Sequence, residues 1–576
     1  VSARRLWVVA LILLAGGVTV VGRAVQVTVV DGELWRDRAR RQHQQVIEVP
    51  GPRGTIRTAD GYVLATSLER VAIQADTHLL PDHELFAQAA APLLGIDGHE
   101  LAERLINGPR RVWLAKQVVP STGEAVRELA PTAVVLVPDF ARVYPLGSVA
   151  APVVGFVGRE ELQMVGRAGL EYHFDAMLAG EPRTYLAVND AIQRKVRLER
   201  LEHGRDGYDL ELSLHARLQA VCEVELQRAV KELRADAASA VILDPRTGAL
   251  LALGSVPSFD PAAPSLVPSE QWRLRPVQDA FEPGSTVKPV VAAAALAADS
   301  VRPGERFDCR GRGIRLAGFW IRDHVEPGRY TLDEVVAHSA NAGIIEIAER
   351  IPQDHLYRTF SAFGFGRRSG IGFPAEARGL MPEVKTWSKL SRAGFALGQE
   401  LTVTPLQVAL AYAAIANGGW LPKPCLVNRA SAEEWSISAN GPCRARVLDE
   451  ALSARLTDML EAAIEEGTGK EAQISGFRVA GKTGTAQRAV NGGFDDEHHV
   501  AWFAGFLPLP DPRMVIVVAV ENPRTDFWAS TAVAPVFARI AKAAAGHLDL
   551  PREQDLIGAV RLARTDEASS IQGGGL

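Results

Sequence analysis

Hydrophobic and polar positions are distributed very unevenly along the chain. Leu6 to Gly22 is a run of seventeen uncharged residues, mostly Val, Leu, Ile and Ala, bounded by Arg4, Arg5 and Arg23. A helix that crosses a bilayer needs about 20 apolar residues. Arg23 can snorkel to the interface while Ala24 to Val30 prolong the helix. The pattern therefore predicts a short segment 1–5 and a membrane anchor over 6–30. A cleaved signal peptide and a buried core helix are the competing readings. The run is long for a signal peptide, however, and no clear Ala-x-Ala site follows it.

Trp35 to Gln45 is polar, Arg-rich and compatible with a helical stalk. The rest of 31–235 mixes short strand-like runs, such as Val46 to Val49 and Ala133 to Val137, with turns and helical stretches. It holds no nucleophile beside a base and reads as a scaffold. A second unit is expected over 236–550. Val241-Ile242-Leu243 and Leu250 to Leu253 flank the turn signal Asp244-Pro245-Arg246-Thr247-Gly248, which predicts a β-hairpin. Two further strands are expected at Trp502 to Leu507 and Met514 to Val520, with helical patterning between the strand groups at Val290 to Ala298 and Val408 to Ile415. Strands at both ends with helices between them predict an α+β domain whose antiparallel sheet closes from distant segments. The tail, 551–576, is expected to be flexible.

Composition narrows the function classes. The chain has 576 residues, enough for two or more domains, and its net charge of -5 argues against nucleic acid as a partner. Its four cysteines, Cys222, Cys309, Cys425 and Cys443, have no metal-ligand spacing, so a metal is not expected. Cys425 and Cys443 are near enough to bridge in an oxidising compartment, or they are small buried hydrophobes.

Three short motifs carry candidate chemistry. In Glu282-Pro283-Gly284-Ser285-Thr286-Val287-Lys288-Pro289, a turn precedes an apolar helical run. Ser285 falls at a helix start, with Lys288 one turn on. A serine nucleophile needs a base, and a lysine held neutral by burial can supply one. Ser-x-Asn occurs twice, as Ser339-Ala340-Asn341 and Ser438-Ala439-Asn440. Leu332 to Ile347 has helix-like apolar spacing, whereas Ser438 to Asn440 runs into Gly441-Pro442 and reads as a solvated turn. The first is therefore the candidate. Lys482-Thr483-Gly484-Thr485 follows a short apolar run and suits a strand. Such a strand can offer backbone hydrogen bonds to an extended peptide, and its cation and hydroxyls suit a carboxylate. Gly484 would let a substrate approach closely.

Together, in this order, the motifs resemble those of the penicillin-recognising serine acyltransferases. Ser339 lies 54 residues after Ser285, and Lys482 a further 143 on. Arg53-Gly54-Thr55-Ile56 with Asp60-Gly61, Arg142 to Pro145, Gly155 to Gly158 and Gly169-Leu170-Glu171 resemble landmarks of the N-terminal module of class B penicillin-binding proteins. Phe363 to Glu376, Gly398-Gln399, Thr402 to Gln407 and Ala534 to Phe537 resemble their transpeptidase domain. Arg57-Thr58-Ala59-Asp60 and Ala529-Ser530 depart from the common pattern.

The resemblance implies an antiparallel-sheet transpeptidase fold on an elongated pedestal. It implies Ser285 as the acylated nucleophile, Lys288 as its base, Ser339 as proton relay, and Asn341 and Lys482 as tuning groups. Thr483, Gly484 and Thr485 would bind substrate. The implied reaction cross-links peptidoglycan stem peptides from a lipid-linked precursor, without cofactor or metal, and β-lactams would acylate the same serine. A division role is expected, with an elongation role as the alternative. The expected partners are a glycosyltransferase of the FtsW type and other divisome membrane proteins. This places the bulk of the chain in the periplasm on a single-pass inner-membrane anchor. Arg23, Arg36, Arg38, Arg40 and Arg41 after the span argue for the opposite orientation. A β-lactam sensor, a silent scaffold, and a β-lactamase or carboxypeptidase are the rival functions.

Overall fold

The computed structural model describes residues 3–31, 33, 44–189, 195–202, 204–309, 313–316, 319–432, 435–438, 444–490 and 493–553. Helix α1 (Ala3–Val25) continues as a π-helical turn to Val30. Arg4–Val30 is long and apolar enough to cross a membrane, and none of it is buried against the protein. That removes the buried-core-helix reading. The stalk expected at Trp35 to Gln45 falls mostly outside the described residues. Its last two residues, Gln44 and Gln45, open strand β1 (Gln44–Val49).

The pedestal is built on β2 (Ile56–Arg57) and the long β3 (Val63–Asp76), which pairs antiparallel with both β4 (Arg111–Val118) and β5 (Val134–Val143). Three of the landmark stretches meet in one buried ion network. Glu171, on α2 (Gly169–His173), accepts from Arg53 Nε at 2.5 Å and from Arg142 Nε at 2.7 Å. Arg142 also donates to the Gly54 carbonyl at 2.7 Å, and Arg53 reaches Asp175 at 2.7 Å. All three of Arg53, Arg142 and Glu171 have side chains no more than 1% exposed. Removing one partner from such a network leaves a buried charge, at roughly 3–5 kcal/mol.

Strand β6 (Asp209–Leu212) adds to this sheet parallel to β2 and leads into α3 (Ala216–Leu233). The hairpin forms as expected from β7 (Ala237–Leu243) and β8 (Leu250–Val256). Asp244 closes its loop by accepting from the Arg246 amide and the Thr247 hydroxyl. Next come α4 (Lys288–Ala297), α5 (Leu332–His338), α6 (Asn341–Arg350) and α7 (Pro405–Ala416). Strand β9 (Val427–Ala432) crosses back to pair with β6, which joins the second domain to the pedestal sheet. Helix α8 (Glu450–Glu465), strands β10 (Ala480–Val490), β11 (Gly493–Leu507) and β12 (Met514–Glu521), and helix α9 (Ala534–His547) complete the fold.

The second domain's sheet runs β8-β7-β12-β11-β10, antiparallel throughout, so strands separated by 270 residues of chain, β7 and β12, lie side by side. Both faces are buried, which explains near-continuous apolar runs where a half-exposed strand would alternate. Val241, Trp502, Phe506 and Val517 pack with α7 on one face. Ile242, Phe503, Ile516 and Val518 pack with Cys222 and Leu226 of α3 and Phe537 and Ile540 of α9 on the other. Helix α3 precedes residue 236 in the chain but is part of this second layer.

Two sequence expectations change. Leu332 to Ile347 is two helices, because Ser339 sits in the left-handed region at φ 66 and Ala340 is extended at ψ 119. Apolar spacing carries through the break and conceals it. Ser438 ends a strand (Trp435–Ser438) that pairs with β9, where a turn was expected; Ala439 and Asn440 lie outside the described residues. So does Cys443, and with it the expected bridge to Cys425; among the described residues Cys222, Cys309 and Cys425 form no disulfide. The tail beyond Glu553 is likewise outside the described residues.

Candidate active site

Ser285 lies in a 3-10 turn, Gly284–Val287, that runs directly into α4. The turn is pressed onto β10. Gly284 has φ 56, and a Cβ there would come within 2.9 Å of the Thr485 carbonyl oxygen. A Cβ at Gly484 would come within 2.6 Å of the Pro283 carbonyl oxygen. Glycine at 484 thus makes room for the serine's own turn, where the sequence suggested room for a substrate. From behind, the Tyr412 hydroxyl donates to the Thr286 carbonyl at 2.9 Å. The half-buried Ser285 hydroxyl has no hydrogen-bond partner among the described residues.

Lys288 is fully buried, and its Nζ reaches the Ser339 carbonyl at 2.7 Å, the Ser339 hydroxyl at 3.1 Å and Asn341 Oδ1 at 2.8 Å. The helix break creates this arrangement. A continuous helix would commit the Ser339 carbonyl to an amide one turn on, whereas the left-handed residue turns it toward the amine. Asp323, which sequence reading missed, accepts from the amides of Asn341 at 2.9 Å and Ala342 at 2.8 Å, so it caps α6 from another segment. No local pattern marks it.

Burial lowers the Lys288 amine to about 7, against the attraction of Asp323 and Cys309. An amine that titrates near neutrality is available as a base at physiological pH, whereas an ordinary lysine is almost wholly protonated there. Lys482 is equally buried, and burial together with the charge of Lys288 holds it well below the usual lysine range. Its Nζ reaches Thr468 Oγ1 and the Thr483 carbonyl, both at 3.2 Å, and Thr468 Oγ1 lies 2.6 Å from Thr483 Oγ1. Thr468 was also missed. It follows α8 in Gly467-Thr468-Gly469, a turn pattern that could have flagged it.

Lys482, Thr483, Gly484 and Thr485 lie on β10 as expected, and β10 is the sheet's edge. Its outer backbone is therefore open to a further strand. The Thr485 hydroxyl accepts from the Ala529 amide at 3.2 Å, so the departure at Ala529-Ser530 adjoins this strand. Glu282, just before the nucleophile turn, accepts from the Glu400 amide at 3.2 Å; its Oε2 is buried with no hydrogen-bond partner among the described residues, and burial raises the carboxyl to about 7. The structure thus gathers Ser285, Lys288, Ser339, Asn341, Lys482 and the Thr483–Thr485 strand at one edge of one sheet.

Comparison with known proteins agrees. Residues 238–542 match the penicillin binding protein transpeptidase domain, and residues 48–212 match the penicillin-binding protein dimerisation domain. The peptidoglycan D,D-transpeptidase FtsI of Escherichia coli K12 is 32% identical over 528 residues, covering 90% of this chain and 87% of the relative. The stage V sporulation protein D of Bacillus subtilis is 33% identical over 442 residues, 74% of this chain and 67% of that protein. The crystal structure of penicillin binding protein 3 from Mycobacterium tuberculosis, complexed with aztreonam, superposes with a TM-score of 0.69 at 26% identity, covering 88% of this chain and 98% of that one. With its transpeptidase domain, its dimerisation-type pedestal and the three motifs convergent on one sheet edge, the chain belongs to the class B penicillin-binding protein transpeptidases.

Proposed function

We propose that the chain is the serine D,D-transpeptidase of septal peptidoglycan synthesis. The observation that carries the chemistry is the buried Lys288 amine, held by Ser339 and Asn341 one turn from Ser285. The neutral amine accepts the Ser285 proton as Oγ attacks the penultimate D-Ala carbonyl of a stem pentapeptide. Gly284 and Thr286 spend their amides on Gly398 O and Pro283 O, which leaves the Ser285 amide, with that of Thr485, for the oxyanion. The Ser339 hydroxyl, bonded to Lys288, relays the proton to the departing D-Ala amine as the acyl–serine ester forms. Lys482 and Asn341 tune this relay. The donor peptide adds to β10 as a further strand, with its carboxylate at Thr483 and Thr485. An amine from a second stem then attacks the ester and restores the Ser285 hydroxyl. β-Lactams acylate Ser285 in the same way, and their ester persists.

This substrate lies outside the cytoplasmic membrane. Arg4–Val30 therefore anchors the chain with its N-terminus in the cytoplasm and its domains, 31–235 and 236–550, in the periplasm. The arginines after the span do not oppose this strongly, because large domains translocate largely regardless of flanking charge. A glycosyltransferase of the FtsW type supplies the glycan strand from lipid-linked precursor. The similarity to FtsI of Escherichia coli supports the septal role, and the similarity to a sporulation protein leaves the test to cells. Depletion of the protein is expected to give filaments that the wild-type chain rescues. Round cells would assign it to elongation.

Thr468 acts as a positioning residue, because its hydroxyl serves both Lys482 and Thr483. Hydrogen bonds to charged or ionisable groups contribute about 1.5–3 kcal/mol. Thr468→Val is expected to slow acylation by fluorescent penicillin about 10- to 100-fold with Tm nearly unchanged, and Thr468→Ser should restore most of the rate.

A further inference from the structure

Three groups able to ligate a metal converge at a place the transpeptidase mechanism does not use. Asp60 lies in the turn between β2 and β3, His215 is the residue before α3, and His547 is the last residue of α9. Their ligand atoms all lie within 4.8 Å of one another. In sequence they are 155 and 332 positions apart, which is why no local spacing suggested a metal.

The cluster is held from behind. The Ala59 amide donates to the Leu214 carbonyl at 2.9 Å, and the His215 amide donates to the Leu251 carbonyl at 2.9 Å. Asp60 Oδ1 accepts from the Ala216 amide at 3.0 Å, while Oδ2 is buried with no hydrogen-bond partner among the described residues. A buried carboxylate oxygen without a partner is costly and rare. The His215 and His547 rings stand edge to face, with centroids 5.7 Å apart.

We propose that Asp60, His215 and His547 bind a divalent transition-metal ion of the zinc type, which fastens the pedestal turn to the first and last helices of the transpeptidase layer. Two imidazoles and one carboxylate are a usual three-protein-ligand set for zinc, with water in the fourth position. Bonds of about 2.0–2.2 Å require ligand atoms roughly 3.4 Å apart, so the three groups close by an ångström or so on binding. His547, at a helix end, can supply most of that movement by rotating its side chain. Asp60 Oδ1 already has the backbone partner that orients a ligating carboxylate.

The test uses the full chain, purified in detergent without a histidine tag and stripped by chelator. Titration with zinc chloride is expected to show one equivalent bound with micromolar or tighter Kd and a Tm raised by a few degrees. Magnesium and calcium should leave Tm unchanged. His547→Ala and Asp60→Asn should each weaken zinc binding at least about tenfold and abolish the Tm rise. Retained labelling by fluorescent penicillin would show that the variants are folded. The wild-type chain binding no stoichiometric zinc would overturn the proposal. So would His547→Ala binding it as tightly as wild type, which would assign the ion to other histidines; this variant alters only a helix end and decides the matter even where Asp60→Asn fails to fold.

Discussion

Membranes containing Ser285→Ala in place of the wild-type chain are expected to take up no fluorescent penicillin into this protein. Removing a hydroxyl nucleophile leaves neither Lys288 nor Lys482 able to replace it, since an ester to the enzyme cannot form. The expected loss in acylation rate is at least about 10⁴-fold, the scale seen when one member of a concerted nucleophile–base unit is deleted. The substitution costs little stability, because the Ser285 hydroxyl makes no hydrogen bond among the described residues and the turn is held by Gly284, Pro283 and Tyr412. The melting temperature should therefore match wild type. Undiminished labelling of the variant would remove Ser285 from the mechanism.

The second large effect concerns Lys288. In the mechanism proposed above, acylation requires the neutral amine, which predominates above about pH 7. The acylation rate is thus expected to rise tenfold per pH unit below that point and to level off above it, as a function of the deprotonated fraction. Glu282 also titrates near 7, so an assignment is needed. Glu282→Gln should preserve the rising limb, while Lys288→Met should lower the plateau about 10²- to 10⁴-fold and abolish the dependence. A Lys288→Met rate within tenfold of wild type would show that the base lies elsewhere. Arginine is a poor substitute at this position. Its guanidinium stays charged, and so supplies no neutral base at this buried position.

Both expectations depend on burial that the linear chain did not disclose. The placing of Lys288 one turn after Ser285 at a helix start was legible, because helix geometry sets that relation locally, while the roles of nucleophile and base came from the resemblance. Helix α4 was also legible, since a run apolar on every side predicts a buried helix. Full enclosure of the lysine comes from elsewhere, through Ser339, Asn341 and the packing around α4. Asp323 stayed hidden because it caps α6 from 18 residues away with no local pattern, and the turn around Thr468 was legible without showing that its hydroxyl meets Lys482 and Thr483. The Ser339 break was obscured for a different reason. Its apolar neighbours keep a helical period across it, and one left-handed residue leaves no mark in that period.

What the sequence determined by itself is whatever short-range physics can encode. It specified the anchor by length and apolarity, the β7–β8 hairpin by its Asp-Pro-Arg-Thr-Gly loop, the buried strands and helices by their runs, and the order of the three motifs. The tertiary structure alone decided that β10 forms the sheet's edge beside the nucleophile turn, that Gly484 yields space to Pro283, and that Arg53, Arg142 and Glu171 form one network. These are matters of which distant surfaces bury one another, and hydrophobic burial is non-directional, so a linear pattern records that a segment is buried but not against what.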